Sequence, residues 1–486
     1  MNAISKLEIN SNGPKTSFPK TMKDSFPDKE RVAEARAMLE AAGVQYILSC
    51  WVDLLGSPKT KPVPLSKLED LCFGKGPQFA VHSVSMVPEL GASDADQIPI
   101  PDLDSLVVCP WDNTLAWVFA DLWWEDKPYA VCPRQILKRQ IEEAAKAGYA
   151  MYAGVEPEFM VMRYVDGKPV KAIDDDPTPG KGLRPQRQAF GYDSEFSIDS
   201  MPYLSDVMAI IDKLGWRMHD AVAEGAYSQF ELDFHYTDAL QMADRLTFLR
   251  VLLKEVAKKH GMFVSFMPKT STGDWRSGAH INISMQAIDN PGVNVFEGED
   301  GNWSELAFNA IAGLKQHGRA ITAIACPTVN SYKGLTARVA GFEGGTVTWA
   351  PTHIAYGRNN RSAMLRLPQS RFAIENRATD MTMNPYLSLA MTLASAMEGI
   401  NNKLDPGPMC NKNLYDMSEA EMKADGIHRL PRTLLEAIEY FDEDPLAKEV
   451  LGPVLHNSFS QYKHVEWDRF HQSVTEWEVH EYLRFF

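Results

Sequence analysis

Glu156 and Glu158 stand two residues apart in Gly154-Val155-Glu156-Pro157-Glu158-Phe159-Met160-Val161, a stretch otherwise poor in charge. In an extended strand, residues i and i+2 project from the same face. Two carboxylates on one face repel each other unless a cation lies between them or they share a proton. The same alternation returns three more times. Gln229, Glu231 and Asp233 alternate with Phe230, Leu232 and Phe234; His280, Asn282 and Ser284 alternate with Ile281 and Ile283; Glu375 and Arg377 straddle Asn376. Carboxylates with one imidazole and no cysteine suit Mg²⁺ or Mn²⁺ better than a structural zinc. Arg358, Arg361, Arg366, Arg371 and Arg377 crowd the same part of the chain. Divalent metal facing several guanidinium groups is equipment for phosphoryl transfer. There is neither a GxxxxGK[ST] loop nor a GxGxxG loop, so a nucleotide must be held in another way.

The elements that position these residues follow from pattern. Residues 1–27 are polar and read as a mobile arm. A helix is expected over 29–42, ended by Gly43, and strands at 46–52, 79–82, 106–108 and 115–122. This first block, 28–130, reads as a small mixed domain; 131–486 reads as a larger one. In the latter, helices are expected over 133–147, 203–214, 238–260, 303–325 and 384–404, with a mostly helical tail from 433. Residues 165–190, rich in Pro, Gly, Asp and Lys, read as a long loop. The chain has 486 residues, 45% of them hydrophobic, enough for a large core in two domains. A net charge of −15 argues against a general nucleic-acid binder. No apolar run approaches the roughly 20 residues that span a bilayer, and the six cysteines are scattered without a CxxC pair. These features read as a cytoplasmic protein with reduced thiols.

Taken together, the motifs resemble the glutamine synthetase superfamily from about Tyr46 to the C-terminus. They are Gly154-x-Glu156-x-Glu158-Phe159, Glu224 with Gln229-Phe230-Glu231, and Phe266-Met267-Pro268-Lys269 before Gly278-x-His280-x3-Ser284. Pro327 to Lys333, Asn360 to Pro368, Glu375-x-Arg377, Asn384-Pro385-Tyr386-Leu387 and Asn413-Leu414-Tyr415-Asp416 continue the series. The resemblance implies an α+β fold: a β-grasp-like N-terminal domain (28–130) and a catalytic domain (131–486) with a curved antiparallel sheet flanked by helices. It implies two Mg²⁺ or Mn²⁺ ions per site, one held by Glu158, Glu224 and Glu231, the other by Glu156, His280 and Glu375. ATP would be a substrate, with Ser284 beside it and Arg361 and Arg366 on its phosphates. Arg377 would face the transferring phosphoryl group. Asp53 would reach a neighbouring subunit's site and help deprotonate the attacking amine. Gly278 opens the ATP-binding segment, next to a loop that contacts glutamate, and is expected to be a substrate-binding residue. The family's assembly, two stacked hexameric rings, implies a large homo-oligomer. Tyr415 matches a tyrosine that some bacterial relatives adenylylate and is read here as structural.

Four departures set this chain apart from the family pattern. Trp349 stands where a flap Glu helps to bind ammonium. Gly334 stands where an Arg grips the glutamate α-carboxylate, with Arg338 as a possible substitute. Trp275-Arg276 replaces Asn-Gly in a loop that contacts glutamate. Val222 replaces a His. A small cation desolvates badly in an apolar pocket, whereas each buried CH₂ of an organic amine is worth about 0.8 kcal/mol. The expectation is therefore an ATP-dependent ligase joining an aromatic or alkyl amine to the γ-carboxylate of L-glutamate through γ-glutamyl phosphate. That chemistry belongs to the γ-glutamylanilide, γ-glutamylmethylamide and γ-glutamyl-isopropylamide synthetase branch and serves amine catabolism. Ammonium-using glutamine synthetase is the alternative. A silent structural relative is disfavoured because all six metal-ligand positions are retained.

Overall fold

A computed structural model describes residues 14–80, 93–173, 191–337 and 348–486. The first sheet comprises β1 (Tyr46–Val52), β2 (Pro58–Pro64), β3 (Ile98–Pro101), β4 (Val107–Val108), β5 (Leu115–Trp124) and β6 (Lys127–Pro128), ordered β2-β1-β5-β3 with β4 and β6 also on β5. The central pair β1–β5 is parallel. β5 is apolar along almost its whole length because it serves two cores. Ala116 and Val118 face α1 (Lys29–Ala42) with Val32, Ala35 and Leu39, while Trp117 and Phe119 join the main core. A strand covered on both faces has no solvent side and loses its alternation of polar and apolar residues.

The second sheet is built around β7 (Tyr149–Val165). Its partners are β8 (Lys168–Lys171), β10 (Gln229–Phe234), β11 (Thr237–Asp238), β12 (Phe263–Ser265) and β13 (Ala279–Ala287). β9 (Met218–Ala223) flanks β10, and β16 (Ile374–Asn376), β15 (Ala363–Leu367), β14 (His353–Arg358) and β17 (His428–Arg429) continue from β13. The pairs are antiparallel except β14–β15, which is parallel. Asn359 at φ 49°, and an Asn360 carboxamide that accepts from the Ser362 N–H, coil the link so that β15 re-enters in the direction of β14. Behind this sheet lie α3 (Pro133–Lys146), α4 (Ser194–Lys213), α5 (Ala239–Lys259), α6 (Glu305–Gln316), α7 (Gly318–Ala325) and α8 (Pro385–Asn401).

Several boundaries differ from expectation. The arm expected to be mobile is packed over residues 14–27: Phe18 enters the main core under the Lys138 ammonium, and Lys15 pairs with Asp102. One buried aromatic is enough to hold a short polar segment. The long loop expected at 165–190 contains a strand, β8, hairpinned onto β7; its remainder, 174–190, lies outside the described residues. The expected helix 303–325 is broken at His317, whose ring is held by Asp444 and Glu398. Of the strand expected at 79–82, Phe79 bridges Gln97, and residues 81–82 lie outside the described residues.

The two parts are clamped by buried ion pairs. Arg134, in the first turn of α3, donates to Asp121 of β5 at 2.7 Å, to Asp102 at 2.9 Å and to both Asp244 oxygens of α5 at 3.0 and 2.9 Å. Tyr386 adds a bond to Asp244 at 2.5 Å. The Lys138 ammonium also pairs with Asp102 and Asp121, and Lys15 with Asp102, so the three carboxylates are balanced by three cations and fix the orientation of the first sheet on the catalytic helices.

Candidate active site

The strand register brings the polar faces together. Glu231 of β10 lies opposite Glu158 of β7, His280 of β13 opposite Glu156 of β7, and Glu375 of β16 opposite Asn282 of β13 and Arg366 of β15. Directly opposed residues of paired strands share a face at about 4.5–5.5 Å. The His280 Nδ1 lies 3.2 Å from Glu156 Oε2 and 3.8 Å from Glu375 Oε1, and its Nε2 lies 3.8 Å from Glu158 Oε1. Two sets of donor atoms close enough to share an ion result: Glu156, His280 and Glu375, and Glu158, Glu231 and His280. His280 therefore stands between two corners instead of belonging to one. Glu224, just beyond β9, is outside both sets; its carboxylate accepts from the Gly225 N–H at 3.3 Å.

The two corners differ electrically. Burial, opposed by His280, Arg371 and Arg377, leaves Glu156 held down to about 2. Glu375 is fully buried and also stays below the ordinary range, because Arg377 Nη1 at 2.5 Å and Arg366 Nη1 at 2.6 Å outweigh its burial. At the other corner Arg276, Arg361 and Arg377 are too weak to offset burial. Burial and the nearby Glu224 push Glu158 up to about 8; burial, Glu158 and Glu224 push Glu231 well up; burial raises Glu224. Clustered carboxylates that resist ionisation call for a multivalent cation. Burial and Arg377 lower His280, which keeps the imidazole neutral and fit to be a ligand. The space also fits: a Cβ on Gly278 would come 3.0 Å from Glu158 Oε1 and 3.1 Å from His280 Nε2, so only glycine leaves that opening. Oxygen donors with one neutral nitrogen suit Mg²⁺ or Mn²⁺.

The arginines form one wall. Arg377 binds Glu375 and also donates to the Trp349 carbonyl at 3.3 Å and the Arg361 carbonyl at 3.3 Å. The Arg361 guanidinium lies 5.6 Å from the Trp349 ring centroid. Trp349 is half exposed with φ 59°, a backbone region that bulky residues rarely occupy. Tyr415 donates to the carbonyl of Ala350 at 2.6 Å and so fastens the same segment. Val222 lies opposite Glu231. Trp275 packs on Gly225, where a Cβ would fall 2.4 Å from its ring. Ser284 lies on the His280 face of β13, beyond Asn282.

Asp53 lies in the β1–β2 turn, where its Oδ1 accepts from the Leu55 and Ser57 N–H groups at 3.0 and 2.8 Å and its Oδ2 faces Lys59 at 3.2 Å. The turn is held to the catalytic domain by Asn384, which donates to the Asp53 and Leu54 carbonyls. Among the described residues, Asp53 makes no contact with the acidic cluster of its own chain. Arg338 lies outside the described residues. The family resemblance assigns no role to Arg371, Asn282 and Gln229. Arg371 Nη2 lies 3.1 Å from Glu156 Oε1 and 2.8 Å from Asn282 Oδ1. Gln229 donates to Glu158 Oε2 at 3.1 Å. The period-2 pattern puts Asn282 and Gln229 on the right faces; only register reveals what they touch.

A family model described as "Glutamine synthetase, catalytic domain" matches residues 130–482. The glutamate--methylamine ligase of Methyloversatilis universalis is 36% identical over 460 residues, covering 93% of this chain and 99% of that protein. The glutamine synthetase of Pyrococcus furiosus is 35% identical over 460 residues, covering 90% and 97%. A solved structure described as "GmaS/ADP complex-Conformation 1" superposes with a TM-score of 0.82 at 32% identity, covering 92% of this chain and 99% of that one.

Proposed function

The chain belongs to the glutamine synthetase family of ATP-dependent carbon–nitrogen ligases, and we propose that it joins an organic amine, aromatic or alkyl, to the γ-carboxylate of L-glutamate. The observation that carries this reading is a contrast around Arg361 and Arg377. The acidic and arginine walls hold every residue type that phosphoryl transfer needs, while the wall beside Arg361 and Arg377 is the indole of Trp349. Similarity to a glutamate--methylamine ligase over nearly the whole chain supports it. Ammonium as donor is the second reading, favoured by the comparable identity to a glutamine synthetase.

Glu158 and Glu231, with Glu224 moving in to complete the set, would hold one divalent ion, and Glu156 and Glu375 the other, with His280 within reach of both. Such ions, when bound, neutralise the oxygens of ATP's phosphates. Arg361 and Arg366 hold those phosphates, with Ser284 beside the nucleotide. Arg377, buried and fixed by Glu375, faces the phosphoryl group as it passes to the γ-carboxylate of glutamate. That step forms an acyl phosphate and releases ADP. The amine nitrogen then attacks the acyl carbon, phosphate leaves, and the nitrogen's extra proton passes to a carboxylate, the role of Asp53 from a neighbouring subunit. An assembly of copies, two hexameric rings as in the family, is supported by the tail. Its Trp477, Leu483, Phe485 and Phe486 are exposed, the last 98% so, and the helix Glu476–Tyr482 buries no residue in its own chain. Among the described residues, no helix is long and apolar enough to cross a membrane; the chain is proposed to act in the cytoplasm.

Phosphate release dependent on ATP and glutamate, measured with ammonium, methylamine, isopropylamine and aniline, tests the reading: an organic amine should give the highest kcat/KM. In the same assay, Trp349→Ala should change the ratio between large and small amines by about tenfold or more, since a methylene-sized pocket change carries that much discrimination. Its KM for ATP should barely move. An equal loss with every amine would make Trp349 a packing residue only.

A further inference from the structure

Arg276 stands beside Glu158, whereas Arg366, Arg371 and Arg377 hydrogen-bond Glu375 or Glu156. Arg276 is more than nine-tenths buried. Its Nη2 is engaged, donating to the Thr379 carbonyl at 2.6 Å and lying 3.5 Å from Asp380. Its Nε is buried without a hydrogen-bond partner. Its Nη1 lies 3.4 Å from the point where a Cβ on Gly278 would sit, the opening that Glu158 Oε1 and His280 Nε2 also border. Glu158 and Asp380 are among the charges that, with Cys326, keep Arg276 firmly cationic against its burial.

Gly334 is what admits this side chain. A Cβ there would fall 2.6–2.7 Å from the Arg276 Cβ, Cγ and Cδ. The two departures in the sequence, arginine at 276 and glycine at 334, are therefore one feature: the stem of the first occupies the volume the second vacates. Any residue larger than glycine at 334 would push the guanidinium out of place.

We propose that Arg276 is the binding residue for the α-carboxylate of the acyl substrate, and so sets its specificity for an α-amino dicarboxylic acid. The inference rests on the reading that the substrate is glutamate. A dicarboxylic acid whose γ-carboxylate faces Arg377 needs a second cation for its other end. Arg361, Arg366, Arg371 and Arg377 all lie along the phosphoryl side. Among the described residues Arg276 Nη1 makes no hydrogen bond, and it borders the Gly278 opening beside Glu158 of the same cluster. A buried unpaired donor is costly until a ligand satisfies it, and a carboxylate does so with charge-assisted bonds. Gly278 keeps the approach open.

The test compares L-glutamate with 4-aminobutyrate, which keeps the reacting carboxylate and lacks the α-carboxylate. The unaltered chain should prefer glutamate by about 10³-fold or more in kcat/KM, because a site built to bind a buried polar group rejects the analogue without it. Arg276→Gln should bring that ratio down by about 10²-fold, through the KM for glutamate, with the KM for ATP nearly constant. Arg276→Lys, which keeps the charge and the stem on Gly334, should recover part of the preference. A purely structural arginine would lower both substrates together and leave the ratio unchanged; that result overturns the proposal. So does Arg338→Gln abolishing the preference while Arg276→Gln keeps it. Should the unaltered chain turn over neither acid with any amine, the glutamate reading itself has failed. That outcome is told apart from failure of the Arg276 assignment by ATP-dependent phosphate release with glutamate in the unaltered chain.

Discussion

Arg377→Lys should turn over about 10³-fold more slowly than the unaltered chain, with the KM for ATP within about threefold. The guanidinium donates to three oxygens at once, those of Glu375, the Trp349 carbonyl and the Arg361 carbonyl. Lysine has the charge but not the planar fork, and its single ammonium cannot reach all three in fixed geometry. Charge that develops on a transferring phosphoryl group is stabilised most by donors already oriented when it forms. The loss therefore falls on kcat. Glu375 has a second partner in Arg366 at 2.6 Å, so it is not left unpaired and the fold should hold. Steady-state kinetics with varied ATP decides it. A kcat within about threefold of the original would remove Arg377 from the phosphoryl step, and a selective rise in ATP KM would move it to ground-state binding.

The second large effect concerns metal and pH. In the metal-free protein, burial and Glu224 carry Glu158 from the ordinary 4.5 up to about 8, and Glu231 moves the same way. A carboxyl raised on folding binds its proton more tightly in the native state. The contribution of these carboxyls to stability should therefore fall as pH rises from the ordinary 4.5 to about 8, by about 1.4 kcal/mol per pH unit for each group that stays protonated only in the folded state, while His280, held below its ordinary 6.5, opposes them up to that value. Glu156, held down to about 2 from the ordinary 4.5, contributes with the opposite sign and only below that ordinary value, outside this window. Divalent ions should displace the retained protons. The Mn²⁺- or Mg²⁺-induced rise in Tm should thus grow between about pH 5 and about pH 8 by several degrees, and binding should release protons into the buffer. Thermal melts with and without metal across that range give the answer. A metal-induced shift independent of pH would mean these carboxylates are not the ligands.

Much of this site is legible in the order of residues alone. The alternation in four short segments puts Glu156, Glu158, Glu231, His280 and Glu375 on common faces because strand geometry allows nothing else. What alternation cannot give is which strand lies beside which. The register His280↔Glu156 and Glu231↔Glu158 decides that His280 serves both corners, and only pairing between segments far apart in the chain fixes it. The link between Arg276 and Gly334 is hidden for the same reason. In sequence they are two separate oddities, and in space one fills the other. The packing of the arm escapes a reading by composition because one aromatic, Phe18, outweighs its polar neighbours. The break at His317 depends on Asp444 and Glu398, both distant in the chain.

The most direct test of the account is competition between nitrogen donors in one vessel. With ATP, glutamate and Mg²⁺ or Mn²⁺, the full chain is given ammonium together with methylamine, isopropylamine or aniline in equal concentration, and the products are weighed by mass spectrometry. The account predicts that a γ-glutamylamide of an organic amine accumulates ahead of glutamine in at least one of these mixtures. Glutamine as the dominant product in every mixture would contradict it.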